Sequence, residues 1–184
     1  DLGLTGLLPL ILVAAAAWAG AHWTAAQRIQ GAPWLASRWA PLVFGAFSAA
    51  ALWWTWGSLR PVEIIHDETA YLFQASLLAT GRLVGPARPL PEFFEQFQLF
   101  STPVVAAKYP PGFALALVPG VWLGLPGLVP VLLTGISGGL LFALARRLAT
   151  PGVALLAWAC WFVAPGSIPF RHLVMSETLT TTLW

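Results

Sequence analysis

Uncharged runs long enough to cross a bilayer constrain the fold of this chain more than any other feature. Leu2–Ala21 and Ala40–Leu59 carry no charged side chain, and each has about the length that a membrane-spanning helix needs, roughly 20 residues. Two more uncharged runs, Leu128–Ala145 and Val153–Phe170, follow later in the chain. Because a helix satisfies its own backbone hydrogen bonds within lipid, the sequence predicts an all-α polytopic membrane protein.

Composition agrees with a membrane protein and argues against several other classes. The chain is 58% hydrophobic and 9% charged, whereas soluble domains carry about 25% charged residues. A net charge of +2 without a basic stripe argues against a nucleic-acid partner. The single cysteine, Cys160, cannot form an internal disulfide. Since the chain starts at Asp1 and its only methionine is Met175, we expect it to be the amino-terminal part of a longer protein.

The positions of the arginines predict how the chain is oriented in the membrane. Two of them, Arg28 and Arg38, lie in the short loop between the first two runs, which is cytoplasmic by the positive-inside rule. The loop 60–108 is then extracytoplasmic, and we expect a multi-pass protein of the plasma (inner) membrane.

The segment Phe113–Leu123 has two interpretations, which both stay open. It is either a full span or a short surface or re-entrant helix, and only the second places the pair Arg146-Arg147 on the cytoplasmic side. The Pro-Gly pairs around this segment favour the short helix. The next run, Val153–Phe170, then returns the chain to the extracytoplasmic side.

The first half of the loop 60–108 predicts an amphipathic helix that opens with two acids. This loop holds five of the chain's seven acidic residues. The helix, Asp67–Leu78, has an apolar face made of Ala70, Phe73, Leu77 and Leu78, with Glu68, Gln74 and Ser76 on its other faces. Asp67 and Glu68 have a structural interpretation, as an N-cap and a first-turn acid. They are also well placed for catalysis, because a helix start orients a carboxylate.

The second half of the loop predicts another interfacial helix, Glu92–Phe100. Four phenylalanines form its apolar stripe: Phe93, Phe94, Phe97 and Phe100. Such a stripe anchors a helix to lipid or to the rest of the protein. Glu92 and Glu95 are expected to face solvent.

Basic residues beside the membrane are candidate phosphate ligands. Lys108, followed by Tyr-Pro-Pro-Gly, could hold a phosphate at headgroup depth or could be a snorkelling anchor before a helix. Arg171 offers two parallel donors to a phosphate or snorkels in the same way. His172 could ligate a metal together with Glu177, although Ser176-Glu177 also reads as a helix start. The chain has no HExxH, CxxC or P-loop motif.

These motifs, in this order, resemble the GT-C class of integral-membrane glycosyltransferases. The similarity covers about Leu52–Trp184 and is strongest to the branch of protein O-mannosyltransferases and lipid A aminoarabinose transferases. It implies two parts of the chain: 1–39, an additional transmembrane helix with a cytoplasmic loop, and 40–184, the amino-terminal part of a GT-C catalytic module with the extracytoplasmic loop 60–108.

The resemblance also implies a reaction and roles for individual residues. The donor would be a sugar on a polyprenyl phosphate, transferred with inversion to a hydroxyl of a glycan, lipid or protein acceptor. Asp67 would be the base, Glu68 would support it, and Glu177 would be the second acidic site. Lys108, Tyr109 and Arg171 would bind the donor phosphate. Whether a divalent metal takes part is left open by the resemblance.

Two other classes of function remain as alternatives. A transporter or channel usually has polar residues along its spans, but Thr134 and Ser137 stand beside three glycines and fit close helix packing better. A membrane assembly subunit would use the phenylalanine-rich loop to dock a partner.

Overall fold

The computed structural model describes residues 32–60, 62–87, 89–165, 171 and 173–183. The predicted span Leu2–Ala21 and the predicted metal ligand His172 lie outside this part of the chain. The described residues are mostly helical, with one small sheet. The helices are α1 Pro33–Ala36, α2 Ala40–Trp56, α3 His66–Ala79, α4 Pro111–Trp122, α5 Leu128–Leu148, α6 Pro151–Val163 and α7 Ser176–Leu183, and the strands are β1 Gly85–Pro86, β2 Leu99–Phe100 and β3 Val104–Ala107.

Helices α2 and α5 form an antiparallel pair in which glycines let the two backbones touch. A Cβ atom added at Gly45 would lie 2.8 Å from the carbonyl oxygen of Gly135, and one at Gly139 would lie 2.9 Å from that of Pro41. Small residues at such a crossing allow the close approach that stabilises helix pairs in lipid. The structure therefore confirms that the glycines of Leu128–Ala145 serve helix packing.

Helix α5 has 21 residues and, by length and composition, is the one helix in the described part that could cross a membrane. Two other predicted spans contain shorter helices than expected. Ala40–Leu59 is helical only to Trp56, where Gly57 ends the helix with a φ of 64°. The helix within Val153–Phe170 ends at Val163, before Pro165, and residues 166–170 are outside the described part.

Helix α4 confirms that the segment after the loop forms a short helix. It has 12 residues, about 18 Å at the usual rise, so it cannot by itself cross a hydrocarbon core of about 30 Å. Its end is fixed to the end of α2, because the Arg60 side chain donates to the carbonyl of Gly124 at 2.7 Å. The backbone N–H of Gly127 donates to Leu59 at 2.8 Å beside it.

The predicted second interfacial helix, Glu92–Phe100, is wrong, and the loop is not all-α. Only Pro91–Phe94 is helical, as a single 3₁₀ turn. β3 is the central strand of a three-stranded antiparallel sheet, with Leu99 opposite Ala107 and Gly85 opposite Val105. The residues between Phe100 and Val104 include Pro103 and turn the chain back, so Leu99 and Phe100 pair with Ala107 and Ala106 of β3 instead of continuing a helix.

Helix α3 is present where predicted, but a different face is buried. Its buried residues are Glu68, Ala70, Tyr71, Gln74 and Ala75. Phe73, Leu77 and Leu78, which belong to the predicted apolar face, are only half-buried. The inner face packs on Phe113, Ala114 and Leu117 of α4 and on Val174, which precedes α7. The hydrogen bonds of Glu68 explain in part why this face of α3 is buried.

Candidate functional site

The start of α3 is fixed by Glu68. The residue that flanks the helix is Ile65, so the predicted N-cap role of Asp67 is wrong, and Asp67 lies inside the first turn. Glu68 Oε2 accepts the backbone N–H groups of Ile64 at 2.8 Å and Ile65 at 3.2 Å. A glutamate at the third helical position reaches back to the flanking N–H in this way in capping boxes. The first-turn role predicted for Glu68 is confirmed.

The second oxygen of Glu68 reaches a distant part of the chain. Oε1 accepts the backbone N–H of Val174 at 2.8 Å, across 106 residues. Glu68 is 1% exposed and Val174 is completely buried. Both carboxylate oxygens are therefore used inside the protein, and the segment that leads into α7 is tied to the first turn of α3.

The only two tyrosines of the chain stack on each other beside this junction. The rings of Tyr71 and Tyr109 are 4.6 Å apart at an angle of 20°, and Phe113 meets Tyr71 edge-on at 5.1 Å. The Tyr71 hydroxyl donates to Ser176 Oγ at 3.1 Å, and the Ser176 hydroxyl points to Glu177 Oε2 at 3.4 Å. A chain of polar groups thus runs from Tyr71 to Glu177.

The negative charges of two carboxylates raise the pKa of both phenols. Burial, a hydrogen bond to the Asp67 carboxylate and the negative charges of Asp67 and Glu177 raise the pKa of Tyr109 to about 12. Burial, the largest cause, and the same two charges also raise the pKa of Tyr71, while its hydrogen bond to Ser176 opposes the shift. The structure therefore brings Asp67, Tyr109 and Glu177 together around Tyr71, and we call these four residues with Ser176 the acid–tyrosine cluster.

Lys108 is turned away from this cluster although it precedes Tyr109. Its ammonium donates to the carbonyl of Phe97 at 2.7 Å. The same group lies 5.6 Å and 5.3 Å from the ring centres of Phe97 and Phe100. Lys108 is exposed, and its contacts join the end of β3 to the residues around β2 within the loop 60–108. A role in phosphate binding stays a prediction.

Arg171 lies at an apolar cavity between helices. The cavity has a volume of about 220 Å³ and is lined mainly by α2, α5 and α6, with the hydroxyl-bearing residues Ser48, Thr55 and Thr134 among its walls. The guanidinium donates to the carbonyl of Phe162 and lies 4.8 Å from the ring centre of Trp161. The Thr134 hydroxyl is buried and has no hydrogen-bond partner among the described residues. An amphiphile with an anionic head would suit this combination of an apolar wall and a guanidinium.

The predicted metal site has no support in the described residues. His172 lies outside them, and no three histidine, cysteine or acidic side chains within them are placed to hold an ion together. Glu177 instead accepts from Ser176.

The sequence reasoning did not identify Tyr71 and Ser176. A usable signal existed for Tyr71, since it stands four residues after Asp67 and therefore on the same helix face. Another signal was composition, because the chain has eleven tryptophans and eleven phenylalanines but only two tyrosines. The sequence indicates only a helix start at Ser176, and its partner Tyr71 is too far away in sequence for any local pattern to join them.

The chain matches no family profile, no curated protein and no solved structure. The chemistry of the cluster must therefore be argued from its own residues. Asp67 and Glu177 are carboxylates on separate helices that converge on one pair of phenols, an arrangement that can accept a proton from a hydroxyl and stabilise nearby positive charge. A cationic side chain, Arg171, stands five residues before Ser176 in the chain.

Proposed function

We propose that the protein transfers a sugar from a polyprenyl-phosphate donor to an acceptor hydroxyl at the outer face of the membrane. The observation that carries this proposal is the acid–tyrosine cluster, in which Asp67 and Glu177 converge from two helices although they are 110 positions apart in the chain. The order of motifs that resembles GT-C glycosyltransferases gives the reaction class. The multi-pass topology and the inner-membrane location are parts of the same proposal.

Asp67 is the base in this mechanism. An inverting displacement needs a carboxylate that takes the proton of the incoming hydroxyl while the bond from the sugar to phosphate breaks. The backbone that carries Asp67 is fixed, because the neighbouring Glu68 holds the first turn of α3 through its hydrogen bonds. Holding the base in place lowers the entropic part of the barrier.

Arg171 is the cation that receives the leaving phosphate. The departing polyprenyl phosphate carries negative charge, which a fixed guanidinium stabilises with two parallel hydrogen bonds. The apolar cavity beside Arg171 suits the first isoprenoid units of a tail that otherwise stays in lipid. Lys108 could join Arg171 only after releasing the carbonyl of Phe97.

Three arginines at one end of the α2–α5 pair are the basis for an outward-facing site. At the end of the α2–α5 pair opposite the cluster, the Arg146 guanidinium donates to the carbonyls of Leu35 and Ser37 at 3.1 Å and 2.5 Å. Arg38 and Arg147 lie at this end as well. By the positive-inside rule this end is cytoplasmic and the cluster is extracytoplasmic.

The test offers a panel of polyprenyl-phosphate sugars to the full-length protein in nanodiscs and follows sugar transfer. Wild type is compared with Asp67→Asn and with Glu92→Gln, which changes an exposed acid of the same loop. We expect transfer to fall at least about a hundredfold in Asp67→Asn, since a positioned base contributes 10²–10⁴-fold. Glu92→Gln should keep wild-type turnover. Full transfer by Asp67→Asn would remove the base from the mechanism.

A second candidate, an assembly subunit, is favoured by the exposed rings of the loop. Phe93 and Phe97 are 78% and 80% exposed, and large exposed apolar groups mark partner or lipid contacts. Under this candidate Phe93→Ser with Phe97→Ser abolishes complex formation, and no donor in the panel is turned over. Retained sugar transfer by the double variant would favour the enzyme.

A further inference from the structure

We propose that Glu68 is a positioning residue that sets where Glu177 stands relative to Asp67. Its carboxylate clamps the segment before α7 onto the first turn of α3. The kinetic part of this inference rests on the proposed function, whereas the structural part rests only on hydrogen bonds.

The geometry leaves Glu68 no capacity for direct catalysis. Its two oxygens accept three backbone N–H groups, from Ile64, Ile65 and Val174, at 2.8 to 3.2 Å. Only 1% of the residue is exposed, so no face remains for a substrate. The catalytic support that the resemblance implies for Glu68 therefore becomes an indirect role.

Each end of the clamp is close to a residue of the acid–tyrosine cluster. Asp67 directly precedes Glu68, and Val174 is three residues before Glu177. Helix α3 packs on α4, while α7 lies against α5, where the hydroxyls of Thr182 and Ser137 are 2.7 Å apart. The bonds Glu68–Val174 and Tyr71–Ser176 are the two polar links from α3 to the chain around the start of α7 within the described residues. Loss of the first link should let the two carboxylates drift apart.

The amide analogue is a sharp probe of this clamp. In Glu68→Gln one carboxylate oxygen becomes an NH₂ group, which only donates. Because both oxygens accept backbone N–H groups, either orientation of the glutamine amide sets a donor against a donor. Glu63→Gln is the matched control, since Glu63 is exposed and, among the described residues, accepts only from the Thr69 hydroxyl at 3.0 Å.

The structural arm measures deuterium uptake of the full-length protein in nanodiscs. We expect the peptide that covers Leu173–Ser176 to exchange roughly tenfold faster or more in Glu68→Gln, because exchange reports local opening. Peptides from α2 and α5 should keep their wild-type rates, as should the whole of Glu63→Gln. Unchanged exchange in Glu68→Gln would overturn the clamp. If that variant does not fold, rapid exchange of the same peptide in wild type overturns it as well.

The kinetic arm distinguishes positioning from proton transfer. Per folded molecule, kcat of Glu68→Gln should fall on the order of a hundredfold, the effect of a misplacement of about 1 Å, with KM changed less than about twofold. The pH dependence of kcat should keep its wild-type shape, since Asp67 remains the base. A variant that loses the pH dependence would show that Glu68 itself transfers the proton, and an unchanged kcat would show that it positions nothing. If wild type turns over no donor, the proposed function fails and deuterium exchange alone decides the clamp.

Discussion

The α2–α5 helix pair and the acid–tyrosine cluster are held together by opposite kinds of interaction. The helix pair depends on contact between backbones at Gly45, Gly135 and Gly139, with almost no polar side chain involved. The cluster depends on buried polar side chains, namely Glu68 with three backbone donors and Tyr71 with Ser176. In the first region shape decides the structure, whereas in the second the pairing of donors with acceptors decides it.

Because of this difference, the two regions should tolerate different kinds of substitution. A helix contact based on shape accepts any substitution that adds no volume at the crossing. A hydrogen-bonded cluster accepts a change of volume more easily than the loss of one acceptor, because an unpaired buried donor costs about 1–3 kcal/mol. A substitution in the α2–α5 helix pair, which we call the framework, should therefore lower stability without changing the cluster, and a substitution in the cluster should do the reverse. Three substitutions test this independence.

The largest expected effect is on the framework. In Gly45→Ala the new Cβ atom would lie 2.8 Å from a backbone oxygen of Gly135, so one helix must move. We expect a loss of about 1–3 kcal/mol in the free energy of unfolding, which is typical of overpacking. Thermal unfolding in detergent measures it.

The control for this substitution is Gly112→Ala in α4, where an added Cβ would contact nothing within 4 Å. That variant should be as stable as wild type or slightly more stable, because alanine favours a helix. Equal stability of both variants would show that the glycine contact does not hold the helix pair together.

An intermediate effect is expected in the titration of the cluster. The pKa of Tyr109 is raised to about 12, partly by the Asp67 carboxylate. Since the folded protein holds this proton more tightly than the unfolded chain, the stability it contributes is complete below pH 10 and is lost between pH 10 and about 12. Asp67→Asn removes the negative charge, so the pKa of Tyr109 should fall.

The measurement is the change in absorbance when a phenol ionises. Tyr71→Phe serves as the background, because Tyr109 is then the only tyrosine left in the chain. In this background the midpoint should move to lower pH when Asp67→Asn is added. A midpoint that stays in place would mean that Asp67 and Tyr109 do not interact, and the cluster would lose one of its carboxylates.

The smallest effect is expected at Lys108. Its exposed ammonium has one hydrogen bond to Phe97 and contacts with two rings, and cation–π contacts at exposed sites contribute about 0.5–1 kcal/mol. Lys108→Met should therefore lower stability by no more than about 1 kcal/mol, as measured by thermal unfolding. If sugar transfer falls more than tenfold at this unchanged stability, Lys108 contacts the donor, and the loop must move to release it.

Local patterns predicted the framework, and long-range pairing explains what they missed. Helices α4 and α5 follow from apolar runs bounded by proline and glycine, and α3 follows from the helical spacing of its apolar residues; all of these signals act within a few residues. The sheet was missed because the pairing of Leu99 with Ala107 depends on a turn that the phenylalanine spacing does not reveal. The inner face of α3 was missed for a similar reason, since burial of Glu68 is favourable only when Val174 supplies a donor from 106 residues away.

The two tyrosines also allow the cluster to be modified chemically, because they are the only phenols in the chain. Reagents that nitrate or iodinate phenols can modify phenol rings only at Tyr71 and Tyr109, and Tyr71 is 5% exposed. Such reagents attack the ionised phenol, so the raised pKa of Tyr109 makes the intact protein slow to react. The rate of labelling therefore reports whether the cluster is intact. Labelling should become faster when Asp67 is neutralised or when α3 and α7 separate.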